Sequence, residues 1–217
     1  MAGWRIHKNA KALAIGLMAS CAFVSAANSE TKSFDFKDFD KVSVAAGINA
    51  DIALAEDFSL TVDTTEEEMA QLDIRLNGRT LLIGRNFRGV SWGRRDPVKA
   101  SVRLPALEGV SASSGARVEA AGIDAGAFDI AVSSGAHLNV AGACDALDID
   151  VSSGGRAEVD AFRCTRVNAE ASSGGSADVY ANQAVDAEAS SGGAISVEGG
   201  PSKISKETSS GGAVTIN

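Results

Sequence analysis

The chain has 217 residues and a formal net charge of −8, with 28 Asp and Glu against 20 Lys and Arg. That balance excludes nucleic acid as a partner, because phosphate contacts need clustered Lys and Arg. The length suffices for one domain with a sizeable core, and with aromatics at only 5% that core must be built from small aliphatic side chains.

Arg5, Lys8 and Lys11 open the chain, and Ala12 to Val24 follow as an apolar stretch too short to span a bilayer comfortably. Val24-Ser25-Ala26 offers small residues at the two positions a signal peptidase reads, so residues 1–26 are predicted to be a cleaved signal peptide. A retained anchor helix is the competing reading. Met18-Ala19-Ser20-Cys21 loosely resembles a lipobox, but the apolar run continues through Ala22, Phe23 and Val24, where a lipoprotein turns polar. The chain is therefore expected in the periplasm or at the cell surface, with no transmembrane segment after cleavage. Residues 27–33 read as a short linker and 34–217 as a single domain.

Residues 34–105 are strand-like. Val42, Val44, Ile48, Ala50, Ile52 and Leu54 alternate around Gly47, and Leu60 and Val62 continue the habit. A helical turn is expected between Glu66 and Gln71. Leu72, Ile74 and Leu76 lead into Asn77-Gly78, a hairpin signal, and Leu81 and Ile83 return. Arg79, Arg85, Arg88, Arg94, Arg95 and Lys99, opposed by Asp96, surround Phe87 and Trp92 in a Gly-containing loop. Arg88, Trp92, Arg94 and Arg95 are candidate contacts to acidic polysaccharide or lipid headgroups; the same arginines could equally pair with acidic residues of their own domain. Val98, Ala100, Val102 and Leu104 then form a strand that Pro105 ends.

From residue 106 on, self-similarity takes over. Ser-Ser-Gly begins at Ser113, Ser133, Ser152, Ser172, Ser190 and Ser209, in steps of 20, 19, 20, 18 and 19 residues, and reads Ser-Ser-Gly-Gly from Ser152 onward. Period-two alternation flanks each copy, as in Leu147, Ile149 and Val151 before the motif and Ala157 and Val159 after it. Two short strands and a Gly corner cannot bury their apolar face alone. Stacked coils can, with rungs about 4.8 Å apart. The predicted fold is all-β: a parallel β-helix, or β-solenoid, of roughly 19-residue coils with Ser-Ser-Gly corners, preceded by a strand-rich half containing a hairpin. An antiparallel sandwich is disfavoured, because two-residue type I′ turns such as Asn-Gly are expected to be absent from this half. Gly pairs suit corners with positive φ and crowded backbones, and stacked serines can pass hydroxyl hydrogen bonds between rungs.

The register places Cys144 and Cys164, each eight residues before its Ser-Ser-Gly, at equivalent points of adjacent rungs, within disulfide reach in an oxidising compartment. Two outward rows are acidic: Asp129, Asp148, Asn168, Asp186 and Asp150, Glu170, Glu188, Glu207. Asp148, Asp150, Glu170, Asp186 and Glu188 are candidate Ca²⁺ ligands, since a cation relieves repulsion between stacked carboxylates. The competing role is a charged face that keeps the sheet soluble, and the Gly-Gly-x-Gly-x-Asp turn of calcium-binding β-rolls is missing. His137 is aligned with Arg117 and Arg156 at an outward position, without the neighbours a catalytic triad or zinc site needs.

Gly47-Ile48-Asn49, the Asn77-Gly78 hairpin, Leu104-Pro105-Ala106-Leu107 and the corner repeats together resemble the head GIN domain family over roughly residues 34–217. That family carries an autotransporter-adhesin label and is otherwise of unknown function. The resemblance implies a right-handed β-solenoid at the envelope and supplies no catalytic residues. Function divides three ways. A non-enzymatic, adhesin-like module would present its repeated rows to a polymeric or cell-surface ligand such as a polysaccharide. A structural periplasmic protein would form homo-oligomers through open solenoid edges, since the sequence stops inside a strand at Asn217. A polysaccharide-processing β-helix enzyme would need a longer helix and its basic residues in one cleft.

Overall fold

A computed structural model describes residues 29–86 and 96–217. The signal segment, and Arg88, Trp92, Arg94 and Arg95, lie outside them.

The regular half is a stack. β9 (Arg117–Val132), β10 (His137–Val151), β11 (Arg156–Ala171) and β12 (Ser176–Ala189) pair in parallel, each with the next. Each is one coil of 14–16 residues bent around the rod, not two separate short strands, with register shifts such as that between Val140 and Gly142 marking the bends. Inward residues from successive coils form one aliphatic core, which includes Val118, Leu138, Ala157 and Ala177 in one file. Phe128 and Phe162 are its largest fully buried side chains, their ring centroids 5.0 Å apart edge to face. The next rung is made of β13 (Ala194–Glu198) on β12 and β14 (Lys203–Thr208) on the far side of the same coil, with β15 (Ala213–Ile216) on β13.

The corners are two-residue turns. The second serine and the following glycine both have positive φ, for example 50° at Ser153 and 71° at Gly154, and Gly155 N–H donates back to the Ser152 carbonyl at 2.9 Å. Positive φ at both central residues is the mark of a type I′ turn, so this turn is present in the repeat half after all. Here it joins consecutive parallel coils instead of a hairpin, and Ser replaces Asn. Rung-to-rung bonding at the corners runs through the main chain: Gly154 N–H donates to the Ser173 carbonyl at 3.2 Å, and Gly135 N–H to that of Ser153 at 3.2 Å. The expected hydroxyl chain does not form. Among the described residues the corner serine hydroxyls make no side-chain hydrogen bond.

The N-terminal half extends the same rod, with its strands out of sequence order. β2 (Lys41–Val44) lies between β6 (Thr80–Arg85) and β8 (Gly109–Ala112), parallel to both. β3 (Asn49–Leu54) lies likewise between β7 (Lys99–Leu104) and β9. The chain therefore lays its second rung first, then the first, then the third. The rung of β2 and β3 turns at Ala45-Ala46-Gly47, with φ 63° at Ala46 and 70° at Gly47, and Gly47 N–H donates to the Ser114 carbonyl at 3.0 Å. It is an additional copy of the corner without its serines.

The outer strands cap this end. β4 (Ser59–Thr65) runs antiparallel to β7, and β5 (Leu72–Asn77) forms the predicted hairpin with β6. The helical turn α1 (Glu66–Met69) is capped by Thr65. Residues assigned to a linker become β1 (Ser29–Phe34), antiparallel to β4. Nearly all its side chains are exposed, so its pairing is main-chain bonding and leaves no apolar alternation to read.

Candidate functional site

In a stacked coil every outward position repeats once per rung, so a single residue type becomes a row. Two faces meet at the corner, and they handle charge differently.

On the face that follows the corner, opposite charges pair. Arg117, His137 and Arg156 are in register, beside a row with Glu119, Asn139, Glu158 and Asp178. Arg156 Nε lies 2.8 Å from Glu158 Oε1, Arg156 Nη2 lies 3.1 Å from Asp178 Oδ2, and His137 Nε2 lies 3.3 Å from Glu158 Oε2. The hydrogen bond from Arg156 holds the Glu158 carboxyl below the usual carboxylate range, and the same bond raises the guanidinium of Arg156. His137 is thus a surface neighbour of the carboxylate that Arg156 pairs with. Among the described residues no nucleophilic side chain hydrogen-bonds it.

On the face that precedes the corner, like charges stack. Register puts Asp148 between Asp129 and Asn168, with Asp186 next, and it lines up Asp150, Glu170, Glu188 and Glu207. Asp148, Asp150, Glu170, Asp186 and Glu188 are all exposed on this one face. The second row borders an open trench whose other wall carries the corner serines Ser172, Ser190 and Ser209. Two contacts soften the first row: Lys41 Nζ lies 2.5 Å from Asp129 Oδ2, and Asn168 Nδ2 donates to Asp148 Oδ1 at 3.4 Å. Among the described residues the five candidate ligands form no ion pair. Nor do three or more His, Cys, Asp or Glu side chains converge there as a metal ligand set. The carboxylates stand a rung apart, whereas Ca²⁺ draws its oxygens to about 2.3–2.6 Å.

Cys144 pairs in register with Cys164, and their sulfurs are bonded, with Cα atoms 4.5 Å apart. Ala125 and Ala181 occupy the same file on the coils either side. The bridge sits beside the bends where the ladder register shifts, in a buried position.

The basic segment is smaller than its sequence implied. Arg85 is the last residue of β6 and is buried, ion-paired with the buried Glu68 of α1, and its Nε donates to the Ala46 carbonyl at 3.1 Å. Arg79, in the hairpin turn, pairs with buried Asp40. Neither belongs to an open basic loop. Their partners lie 17 and 39 residues upstream, so linear charge counting cannot find them.

No helix of the described residues is long and apolar enough to cross a membrane. Residues 38–201 match the family described as "Putative auto-transporter adhesin, head GIN domain". The fold is shared with crystal structures described as putative adhesins. One, from Bacteroides fragilis, has a TM-score of 0.67 at 16% identity over 88% of this chain and 98% of that one. Others from Parabacteroides merdae and Parabacteroides distasonis have TM-scores of 0.51 and 0.50 at 17% and 16% identity, over 87% and 88% of this chain and 96% and 97% of theirs. No curated protein matches the chain in sequence.

Proposed function

The chain belongs to the head GIN domain family, and from that premise we propose that it is an exported, non-enzymatic binding module. Its acidic face would engage a repetitive polymer of the cell envelope. One observation carries the reading: Asp148, Asp150, Glu170, Asp186 and Glu188 stand exposed in two in-register rows on one face and form no ion pair among the described residues, while Arg156 on the adjoining face pairs with Glu158 and Asp178. Like charges directly opposite on neighbouring strands destabilise a sheet. A face selected only for stability or solubility would alternate signs, as the adjoining face does. Rows of one sign at fixed spacing suit a ligand that repeats, because each added contact is made at high effective concentration. The ligand class is a cationic polymer, or an acidic polysaccharide whose own oxygens would complete the shell of a bridging Ca²⁺ that touches only one or two of Asp148, Asp150, Glu170, Asp186 and Glu188 at a time. Export rests on residues 1–26.

The test is binding of the mature chain to isolated envelope polysaccharide, with and without Ca²⁺. The comparison is a variant carrying Asp148→Asn, Asp150→Asn, Glu170→Gln, Asp186→Asn and Glu188→Gln. Loss of binding in the variant supports the reading, and equal binding by both proteins removes it. Calcium titration with no heat and no shift in Tm removes the bridging cation alone. A second variant, Arg88→Ser, Arg94→Ser and Arg95→Ser, tests whether the segment between β6 and β7 contributes a contact of its own.

A further inference from the structure

At corner after corner, the carbonyl of the second turn residue accepts a hydrogen bond from a glycine amide of the rung before. Gly47 donates to Ser114, Gly115 to Ser134, Gly135 to Ser153, Gly154 to Ser173 and Gly174 to Ser191, all at 3.0–3.2 Å. Ala46 holds the matching place in the rung of β2 and β3, at the head of this ladder among the described residues. Its carbonyl accepts from a side chain instead: Arg85 Nε donates to it at 3.1 Å. Arg85 lies two residues past Ile83, as Ala46 lies two past Val44, the register partner of Ile83. The guanidinium therefore stands on the corner line and supplies the kind of donor that a glycine amide supplies elsewhere.

The counter-charge comes from the cap. β4, α1 and β5 form a reversed coil over the rung of β6 and β7, antiparallel to both, and α1 carries the chain from opposite Lys99 to opposite Arg85. Glu68 of α1 pairs with Arg85, and the two side chains are only 8% and 4% exposed. An ion pair this deep adds little net stability over an apolar pair of the same size. What it adds is connection, since it ties α1, the end of β6 and the Ala46 corner together. The reversed coil is also held by Asn86 N–H, which donates to the Gln71 carbonyl at 2.8 Å, and by Thr64 Oγ1, which donates to the Pro97 carbonyl at 3.1 Å.

We propose that Arg85 and Glu68 form a latch that holds the reversed coil β4–α1–β5 as a lid on the rung of β6 and β7. Broken, the latch lets the lid open as one unit while the coils that carry the acidic rows stay folded, because their corner ladder is main-chain bonding the latch does not share. Opening strips β6 and β7 of the partners that cover their main chain, so a closed lid also protects that rung from pairing with another strand. The inference concerns the rod itself and stands whether or not the acidic face binds a polymer.

Amide exchange followed segment by segment tests it, comparing wild type with Glu68→Gln and with the paired variant Arg85→Met and Glu68→Met. The paired variant leaves no charge buried, so its Tm should stay near that of wild type. Exchange across Ser59–Asn77 and Ala45–Gly47 should nonetheless quicken by about tenfold or more, because the Ala46 carbonyl has lost a charged donor, while β10, β11 and β12 stay protected. Glu68→Gln should show the same pattern in weaker form. A cooperatively melting paired variant with wild-type exchange across Ser59–Asn77 overturns the proposal, and so does faster exchange spread evenly over every coil. If the paired variant does not fold, Glu68→Gln decides by the same criterion: quickening confined to the lid and the Ala46 corner supports the latch, and none, or a uniform one, overturns it.

Discussion

A β-carbon placed on Gly175 would lie 2.4 Å from the carbonyl oxygen of Val151 on the adjacent rung. The same holds at Gly155, Gly193 and Gly212, where the distances to the neighbouring carbonyl are 2.8, 2.2 and 2.2 Å. Ala116 and Ala136 stand at this point in the first two serine corners and are accommodated, buried, whereas in the later corners the adjacent main chain takes the place of a β-carbon. The change from Ser-Ser-Gly to Ser-Ser-Gly-Gly records that approach. Gly175→Ala is expected to destabilise by about 2 kcal/mol, because the obstacle is main chain and cannot rotate away. Chemical denaturation measures it, and a change close to zero would show that the rungs can part locally.

The second serine of each corner carries a different burden. Ser153 has φ 50° and an exposed side chain, so its substitutions report backbone preference with little contribution from packing. Asn tolerates the left-handed region better than Ser, and a β-branched residue tolerates it worst. Ser153→Asn should therefore raise stability by a few tenths of a kcal/mol, and Ser153→Val should lower it by about 1–2 kcal/mol. Thermal melts of the two variants should move in opposite directions.

The Cys144–Cys164 bridge closes a 20-residue separation. Removing it with Cys144→Ala and Cys164→Ala is expected to cost about 3 kcal/mol through the larger unfolded ensemble. Because the bridge sits beside register shifts, amide exchange should rise first around the bends of β10 and β11. Uniform loosening along the rod would instead mean that the bridge acts only on the unfolded chain.

The pH response of the paired face has a definite sign. The Glu158 pKa is lowered in the folded chain, chiefly by the hydrogen bond from Arg156. Its contribution to stability is therefore complete above the ordinary carboxylate pKa of about 4.3 and disappears as pH falls through the lowered value. The effect is small, since the pair is partly open to water and screened. Glu158→Gln should be less stable than wild type at neutral pH, and the gap should close in acid. A gap that is constant with pH would assign the loss to packing.

Much of this molecule could be read along the chain because its signals are local. Alternation at period two, corner residues at intervals near 19, and cysteines eight residues before successive motifs all concern neighbours in sequence or one fixed repeat away. From them follow the parallel coils, the outward rows and the register that brings Cys144 to Cys164. Less regular pairing escaped. Position in the chain groups Arg85 with the basic run around Trp92, but it is buried against Glu68; the polar side chains of β1 carry no pattern that distinguishes a strand from a linker.

The sequence by itself determined the repeat, its period and which side chains face outward, since backbone geometry makes those consequences of spacing. Only the tertiary structure decided the order of the first rungs, with β2 and β3 inserted between strands that follow them in the chain. It also decided that Ala45-Ala46-Gly47 is a corner and that Arg85 donates to its Ala46 carbonyl. The reason is physical. Sheet edges recruit partners by matching main-chain hydrogen bonds and buried faces, and that matching depends on what lies adjacent in space, so it leaves no periodic trace in the chain.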